Sequence, residues 1–165
     1  MKQILYLSLI ALCSIFTLGS CDDDDDTVNV PEAVQAAFKT RFPDAERAEW
    51  EIKVGFYVAE FHAQGTEIEA WFDKDAQWCM TDTDFGRNIS SIPAAVQSAL
   101  AESEYSTWNI DDINKYERKD MTFYVIEVET KGQKEHHLFY GETGNLIKDM
   151  VENGNDNIYP FTPVP

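Results

Sequence analysis

The feature that most restricts this chain's fold is an internal repeat. Val30-Pro31-Glu32-Ala33-Val34-Gln35-Ala36-Ala37-Phe38 recurs, 62 positions on, as Ile92-Pro93-Ala94-Ala95-Val96-Gln97-Ser98-Ala99-Leu100. Phe56-Tyr57-Val58-Ala59-Glu60-Phe61 recurs as Phe123-Tyr124-Val125-Ile126-Glu127-Val128, and the segment from Trp71 to Trp78 aligns with that from Phe139 to Leu146. Three blocks in the same order, with offsets of 62, 67 and 68, describe one supersecondary unit used twice, with loops that gained a few residues between copies.

Each copy reads alike. A proline opens a helix, because its fixed φ suits the first turn and no N–H is needed there. Val34, Ala37, Phe38 and Phe42 share one face of the first helix, which Pro43 ends; Val96, Ala99 and Leu100 take the equivalent places in the second. Short alternating runs rich in Val, Ile, Phe, Tyr and Trp follow, and predict strands near 48–53, 56–63, 66–72 and 76–81, then near 112–118, 122–130, 133–140 and 145–151. Turn residues join them: Val54-Gly55, Gln64-Gly65, Asp73-Lys74-Asp75, Lys119-Asp120, Lys131-Gly132 and Glu142-Thr143-Gly144. The expected fold is α+β, a tandem repeat of a helix plus an antiparallel β-meander with the helices on one face of the sheet, copy one over 30–86 and copy two over 92–151.

Val30-Pro31, Phe42-Pro43-Asp44-Ala45, Trp50-Glu51, Phe56-Tyr57-Val58 and the Phe72-Asp73 turn make the chain resemble the PepSY-like family, whose members are described as similar to beta-lactamase inhibitor proteins. The resemblance covers most of residues 30–151. It departs from the pattern where the second copy offers Glu104-Tyr105-Ser106 in place of the Phe-Pro element, and where Ala76 stands in the position of Gly144. It implies a secreted module that binds or inhibits another protein.

The first residues include Lys2, an apolar run from Ile4 to Leu18, and Leu18-Gly19-Ser20-Cys21. The run is short for a permanent membrane span and ends in small residues, so residues 1–20 read as a cleaved signal peptide. The final four resemble a lipobox, which makes Cys21 the expected lipid attachment site and the membrane a partner through that lipid. Asp22 to Asp26 and the residues up to 29 form an acidic tether. Acidic residues directly after a lipidated cysteine resemble a surface-export signal, so the expected location is the outer membrane, at the cell surface in preference to the periplasmic face. Residues 152–165 form a turn-rich, then proline-rich tail with no helix, expected either along a sheet edge with Tyr159 and Phe161 packing down or loose.

The formal charge of −17 is spread along the chain. Nucleic acid is excluded as a partner, since binding it depends on neutralising phosphates. Once Cys13 leaves with the signal and Cys21 takes lipid, Cys79 alone remains and no internal disulfide can form. It reads as a small core residue in an apolar run.

Nucleophile elbow, phosphate loop, dinucleotide fingerprint and paired-His zinc helix are all missing from the sequence. Adjacent His136 and His137 point to opposite faces of a strand and cannot share a metal there. A zinc site would have to combine one of them with His62 and a carboxylate. Neither Asp73-Lys74-Asp75 nor Asp82-Thr83-Asp84-Phe85-Gly86 completes a calcium loop. The expectation is no catalysis, no cofactor and no metal.

Alternation then sorts the strands. Tyr57, Ala59, Phe61, Ile68, Ala70, Phe72, Tyr124, Ile126, Val128, Leu138 and Tyr140 belong under the helices. The other face mixes carboxylates with Phe56, Trp71, Phe123, His137 and Phe139, the candidate residues for binding an unidentified protein or peptide. Two readings stay open on that face: a binding or inhibitory module for an extracellular or periplasmic protein, and a carrier of a small ligand such as a peptide, glycan or cation.

Overall fold

The computed structural model describes residues 28–45, 47–154 and 157–164. Cys21, the signal peptide and most of the acidic tether lie outside the described residues. No helix among the described residues is long and apolar enough to cross a membrane.

Helix α1 spans Glu32–Arg41 and is followed by strands β1 (Glu49–Lys53), β2 (Phe56–Ala63), β3 (Thr66–Phe72) and β4 (Trp78–Asp84). A 3-10 turn at Ile89–Ser91 leads into α2 (Ala94–Glu102), and then come β5 (Asn109–Arg118), β6 (Thr122–Glu129), β7 (His136–Gly141) and β8 (Leu146–Val151). The eight strands form one antiparallel sheet in sequence order, so the fold is α+β. Pro31 and Pro93 each sit one place before the first helical residue, with extended ψ of 142°, and their carbonyls accept the first helical N–H bonds. The same brace closes both helix starts. Gln35 Nε2 donates to the Val30 carbonyl at 2.9 Å, and Gln97 Nε2 to the Ile92 carbonyl at 2.8 Å.

The turn chemistry acts as expected in the first half. Val54-Gly55 and Gln64-Gly65 both take positive φ at both positions, which matches the twist of two-residue hairpins. Between β3 and β4, Asp73 Oδ1 accepts the backbone N–H of Asp75 and of Gln77, at 2.9 and 2.8 Å, so this acidic turn is held by its own side chain. Three strands differ from expectation: β7 begins at His136 and not near 133, and two others are longer. β4 continues to Asp84, because Asp82, Thr83 and Asp84 pair with Tyr116, Lys115 and Asn114, and β5 begins at Asn109, because Asn109 and Ile110 pair with Glu129 and Val128 of β6. Polar composition hid both extensions.

Apolar packing divides into three clusters. Val34 and Phe38 of α1 pack with Ala59, Phe61, Ala70 and Phe72. Val96 and Leu100 of α2 pack with Ile113, Ile126, Val128, Leu138 and Tyr140. Tyr105, which follows α2, joins that cluster and donates its hydroxyl to Asp149 at 2.5 Å. The third cluster contains no helix residue. It joins Val58, Trp71 and Met80 to Tyr116, Phe123, Val125 and Phe139, positions that alternate along the strands with those of the other two clusters, and it contains Ile158 of the tail. Cys79 is half-buried at the start of β4 and outside all three clusters, not a core residue, because the irregularity between Trp71 and Phe72 shifts the strand register beside it.

Candidate functional site

The structure brings Phe56, Trp71, Phe123, His137 and Phe139 to the same side of the sheet, but it does not leave them open to solvent. Trp71, Phe123, Phe139 and His137 are buried, and Phe56 is half-buried. The expectation of an exposed aromatic face is corrected here, and the cause is the tail. Ile158 drops into the third cluster, Tyr159 packs edge-on against Trp71, and Phe161 stacks on Phe56 with centroids 6.2 Å apart. The Arg118 guanidinium donates to the carbonyls of Tyr159 and Thr162, at 2.6 and 2.7 Å, while Thr162 closes a turn back onto Tyr159. The tail therefore crosses the face instead of following an edge. An apolar Ile-Tyr-Pro-Phe run in an otherwise turn-rich and proline-rich tail was the sequence signal for a docked segment.

Beyond the reach of the tail, the same face is lined with carboxylates. Five acidic pairs stand directly opposite one another across the strand ladders: Glu49 and Glu60, Glu60 and Glu69, Glu69 and Asp82, Glu67 and Asp84, and Asp112 and Glu127. Like charges in that relation destabilise a sheet. One cation offsets part of this. Lys53 Nζ lies 2.7 Å from Glu51 and 2.6 Å from Glu69; burial alone would lower its pKa, but the two bonds outweigh burial and raise it. Glu60 is held above the usual carboxylate range, first by desolvation and then by Glu67 and Glu69. Asp82 is pushed up to about 7, chiefly by burial, although it accepts a bond from Asn114 at 3.1 Å.

Between the acidic strip and the tail lies a cavity of about 670 Å³, lined by Lys53, Glu69, Trp71, Asp82, Tyr116, Glu127, His137, Ile158 and Tyr159 among others. The β6–β7 register places Glu127 directly opposite His137, and Glu135 reaches the same spot two residues before the histidine. His137 Nε2 is 3.1 Å from Glu135 Oε1 and 3.9 Å from Glu127 Oε1. Burial, and after it the repulsion from Glu135 and Asp112, keeps the Glu127 carboxyl above its ordinary range against the pull of His137. Glu127, Glu135 and His137 could hold a metal ion, as could the Glu51, Glu60 and Glu69 group. His62 is exposed on β2 and His136 turns away to Tyr105 and Asp149, so the structure does not bring either to His137. Burial, with Asp73 nearby, raises the Cys79 thiol above its ordinary pKa and keeps it a poor nucleophile.

The sheet of eight antiparallel strands with two helices and this face has known relatives. The family model described as "Putative beta-lactamase-inhibitor-like, PepSY-like" matches residues 26–68 and 55–148. The chain belongs to this PepSY-like family. A BLIP-like protein of Bacteroides fragilis is 36% identical, with a TM-score of 0.76 over 85% of this chain and 99% of its own. A DUF2874 family protein of Bacteroides uniformis is 31% identical, with a TM-score of 0.70 over 74% of this chain and 89% of its own. A second DUF2874 protein, from Bacteroides ovatus, is 29% identical with a TM-score of 0.71, over 75% of this chain and 89% of its own. No curated protein matches. The PepSY-like match spans both helices and reaches the middle of β8, so it includes Glu127, Glu135 and His137 but not the tail.

Proposed function

We propose that this PepSY-like chain is an exported, lipid-anchored, non-enzymatic binding module that takes a protein partner with a basic segment on the acidic end of its sheet. The observation that carries this reading is the set of five acidic pairs across the ladders of one sheet face. A fold that tolerates such repulsion gains when a partner's Lys or Arg residues neutralise it, and the same field speeds encounter. Similarity to a BLIP-like protein supports protein binding or inhibition as the class of activity. The shared Gln braces and parallel order of elements support two copies of one helix-plus-meander unit, with the helices on one face and the binding surface on the other. Phe56 and Phe161 form an aromatic edge beside that surface.

Leader and lipid site support a position in the outer membrane. Leu18-Gly19-Ser20-Cys21 supplies the lipidation signal at Cys21, and the five aspartates after it favour the cell surface over the periplasmic face. The second reading is a small-ligand carrier, and the cavity of about 670 Å³ beneath the tail is what favours it.

The test is capture of secreted and surface proteins on the purified chain, beside a variant carrying Glu60→Gln, Glu67→Gln and Asp84→Asn. These acids line the face outside the third cluster, so the variant should fold. A basic protein retained by the native chain, lost at high salt and weakened at least tenfold by the variant supports the reading. Retention that ignores both salt and neutralisation would sink it.

A further inference from the structure

The donor atoms around His137 form a second kind of site, one that the acidic strip alone would not make. We propose that Glu127, Glu135 and His137 bind one divalent transition-metal ion of the zinc class, with an open coordination position toward the cavity under the tail. Three observations carry this. One ligand atom from each residue lies within 4.8 Å of both others. The histidine Nε2 stands 3.1 Å from one carboxylate oxygen and 3.9 Å from the other. Zinc bonds to nitrogen and oxygen of about 2.1 Å in a tetrahedron require ligand atoms roughly 3.4 Å apart, and the two observed separations bracket that edge.

The second observation is the imidazole itself. His137 is 5% exposed, so it is buried with its Nε2 turned toward the two acids at the wall of the cavity. A mixed nitrogen and carboxylate set suits zinc, manganese, iron or cobalt, whereas calcium and magnesium prefer oxygen alone. The third is charge. Among the described residues no Lys or Arg is ion-paired to Glu127 or Glu135, because Lys53 is engaged by Glu51 and Glu69 and Arg118 by the tail carbonyls. The all-carboxylate group of Glu51, Glu60 and Glu69 differs on both counts: it has no nitrogen ligand, and Lys53 already bridges two of its members. It therefore serves as the internal control.

Residue geometry makes the site local and cheap to assemble. Glu127 and His137 are held by the β6–β7 register, and Glu135 is the residue immediately before β7. Three protein ligands leave a fourth position for water or for a donor brought by a partner.

The experiment is calorimetric titration of the purified, tag-free protein with Zn²⁺, with Co²⁺ absorption as the reporter of geometry. The expected result is one Zn²⁺ per chain and the visible bands of four- or five-coordinate Co²⁺. Glu135→Gln and His137→Gln should each weaken Zn²⁺ at least tenfold, and Glu60→Gln should leave it unchanged. His137 is buried and its variant can lose the fold, whereas Glu135 is half-buried beside the β7 start, so Glu135→Gln with an unchanged circular-dichroism spectrum decides the matter. No saturable Zn²⁺ uptake by the native chain overturns the proposal. So does equal affinity in native and Glu135→Gln proteins, or a loss in Glu60→Gln instead, either of which places the ion elsewhere. None of these outcomes depends on a protein partner being found.

Discussion

The Arg118 guanidinium donates to the Tyr159 carbonyl at 2.6 Å, tying the end of β5 to the tail that covers the sheet face. A second bond to the Thr162 carbonyl brackets the turn, and the remaining guanidinium atom, Nε, is buried with no hydrogen-bond partner among the described residues. Bonds to a charged donor are worth roughly 1.5–3 kcal/mol net, and the unpaired Nε takes part of that back. Arg118→Ala should therefore destabilise the protein by about 1–2 kcal/mol and loosen the tail first. Hydrogen exchange at residues 157–164 and a red shift of Trp71 emission are the measurements. Unchanged exchange in the tail would show that the apolar contacts hold it without the arginine.

Those contacts are unequal, and the inequality is testable. Ile158 is 9% exposed within the third cluster, whereas Phe161 is 62% exposed and touches Phe56 and Tyr159 at the rim. Ile158→Ala should cost about 2–3 kcal/mol, through lost transfer energy plus the cavity left among Trp71, Phe123 and Phe139. Phe161→Ala should cost less than about 1 kcal/mol. Urea unfolding of both variants checks this. Similar losses at the two positions would mean that the tail docks through Phe161, not Ile158.

Local sequence patterns made most of this fold readable before the structure. Pro31, Pro93 and the alternating runs located both helices and all eight strands, because each rests on local periodicity or a local backbone restriction. Alternation also put Trp71, Phe123, His137 and Phe139 on the correct side of the sheet. It could not show that Ile158 would cover them, since a single isoleucine in the tail carries no period and its docking is decided by a cluster drawn from strands far apart in sequence, from Val58 to Phe139. The Glu127–His137 pairing was hidden for a similar reason. It depends on the register across the β6–β7 turn, which is fixed by a long loop and not by a two-residue hairpin.

Ala76 and Gly144 occupy matching turns, and the structure gives them opposite tolerances. Ala76 sits at φ 60°, a left-handed conformation that costs a non-glycine residue roughly 1–2 kcal/mol. Gly144 sits at φ 83°, and a Cβ there would lie 2.4 Å from the Ala95 carbonyl oxygen at the start of α2. Ala76→Gly should thus be neutral or stabilising by up to about 1 kcal/mol, as relieved strain offsets the added freedom of the unfolded chain. Gly144→Ala should cost about 2–4 kcal/mol, because backbone must move as well as twist. Thermal melts of the two variants decide it, and a stable Gly144→Ala protein would mean that α2 can slide away from the β7–β8 turn.

Asp82 makes stability depend on pH in a direction opposite to most carboxylates. Half-buried on β4, with Asn114 and Tyr116 bonding to it from β5 and with Glu69 and Asp84 close by, its carboxyl is pushed up to about 7, chiefly by desolvation. An unfolded aspartate titrates near 3.9. The folded state therefore holds the proton more tightly, so this group's contribution is fully present below about pH 4 and is lost as pH rises through about 7. Asp82→Asn keeps a hydrogen-bonding amide in place and removes the charge that must be buried at higher pH. The variant should match the native protein near pH 4 and exceed it by roughly 1–3 kcal/mol near pH 8. Comparing the two melting curves across that range isolates Asp82 from Glu127, whose raised carboxyl acts in the same direction in both proteins. Parallel curves, with no gain at high pH, would mean that Asp82 is ionised at little cost and that the acidic strip is better solvated than its burial implies.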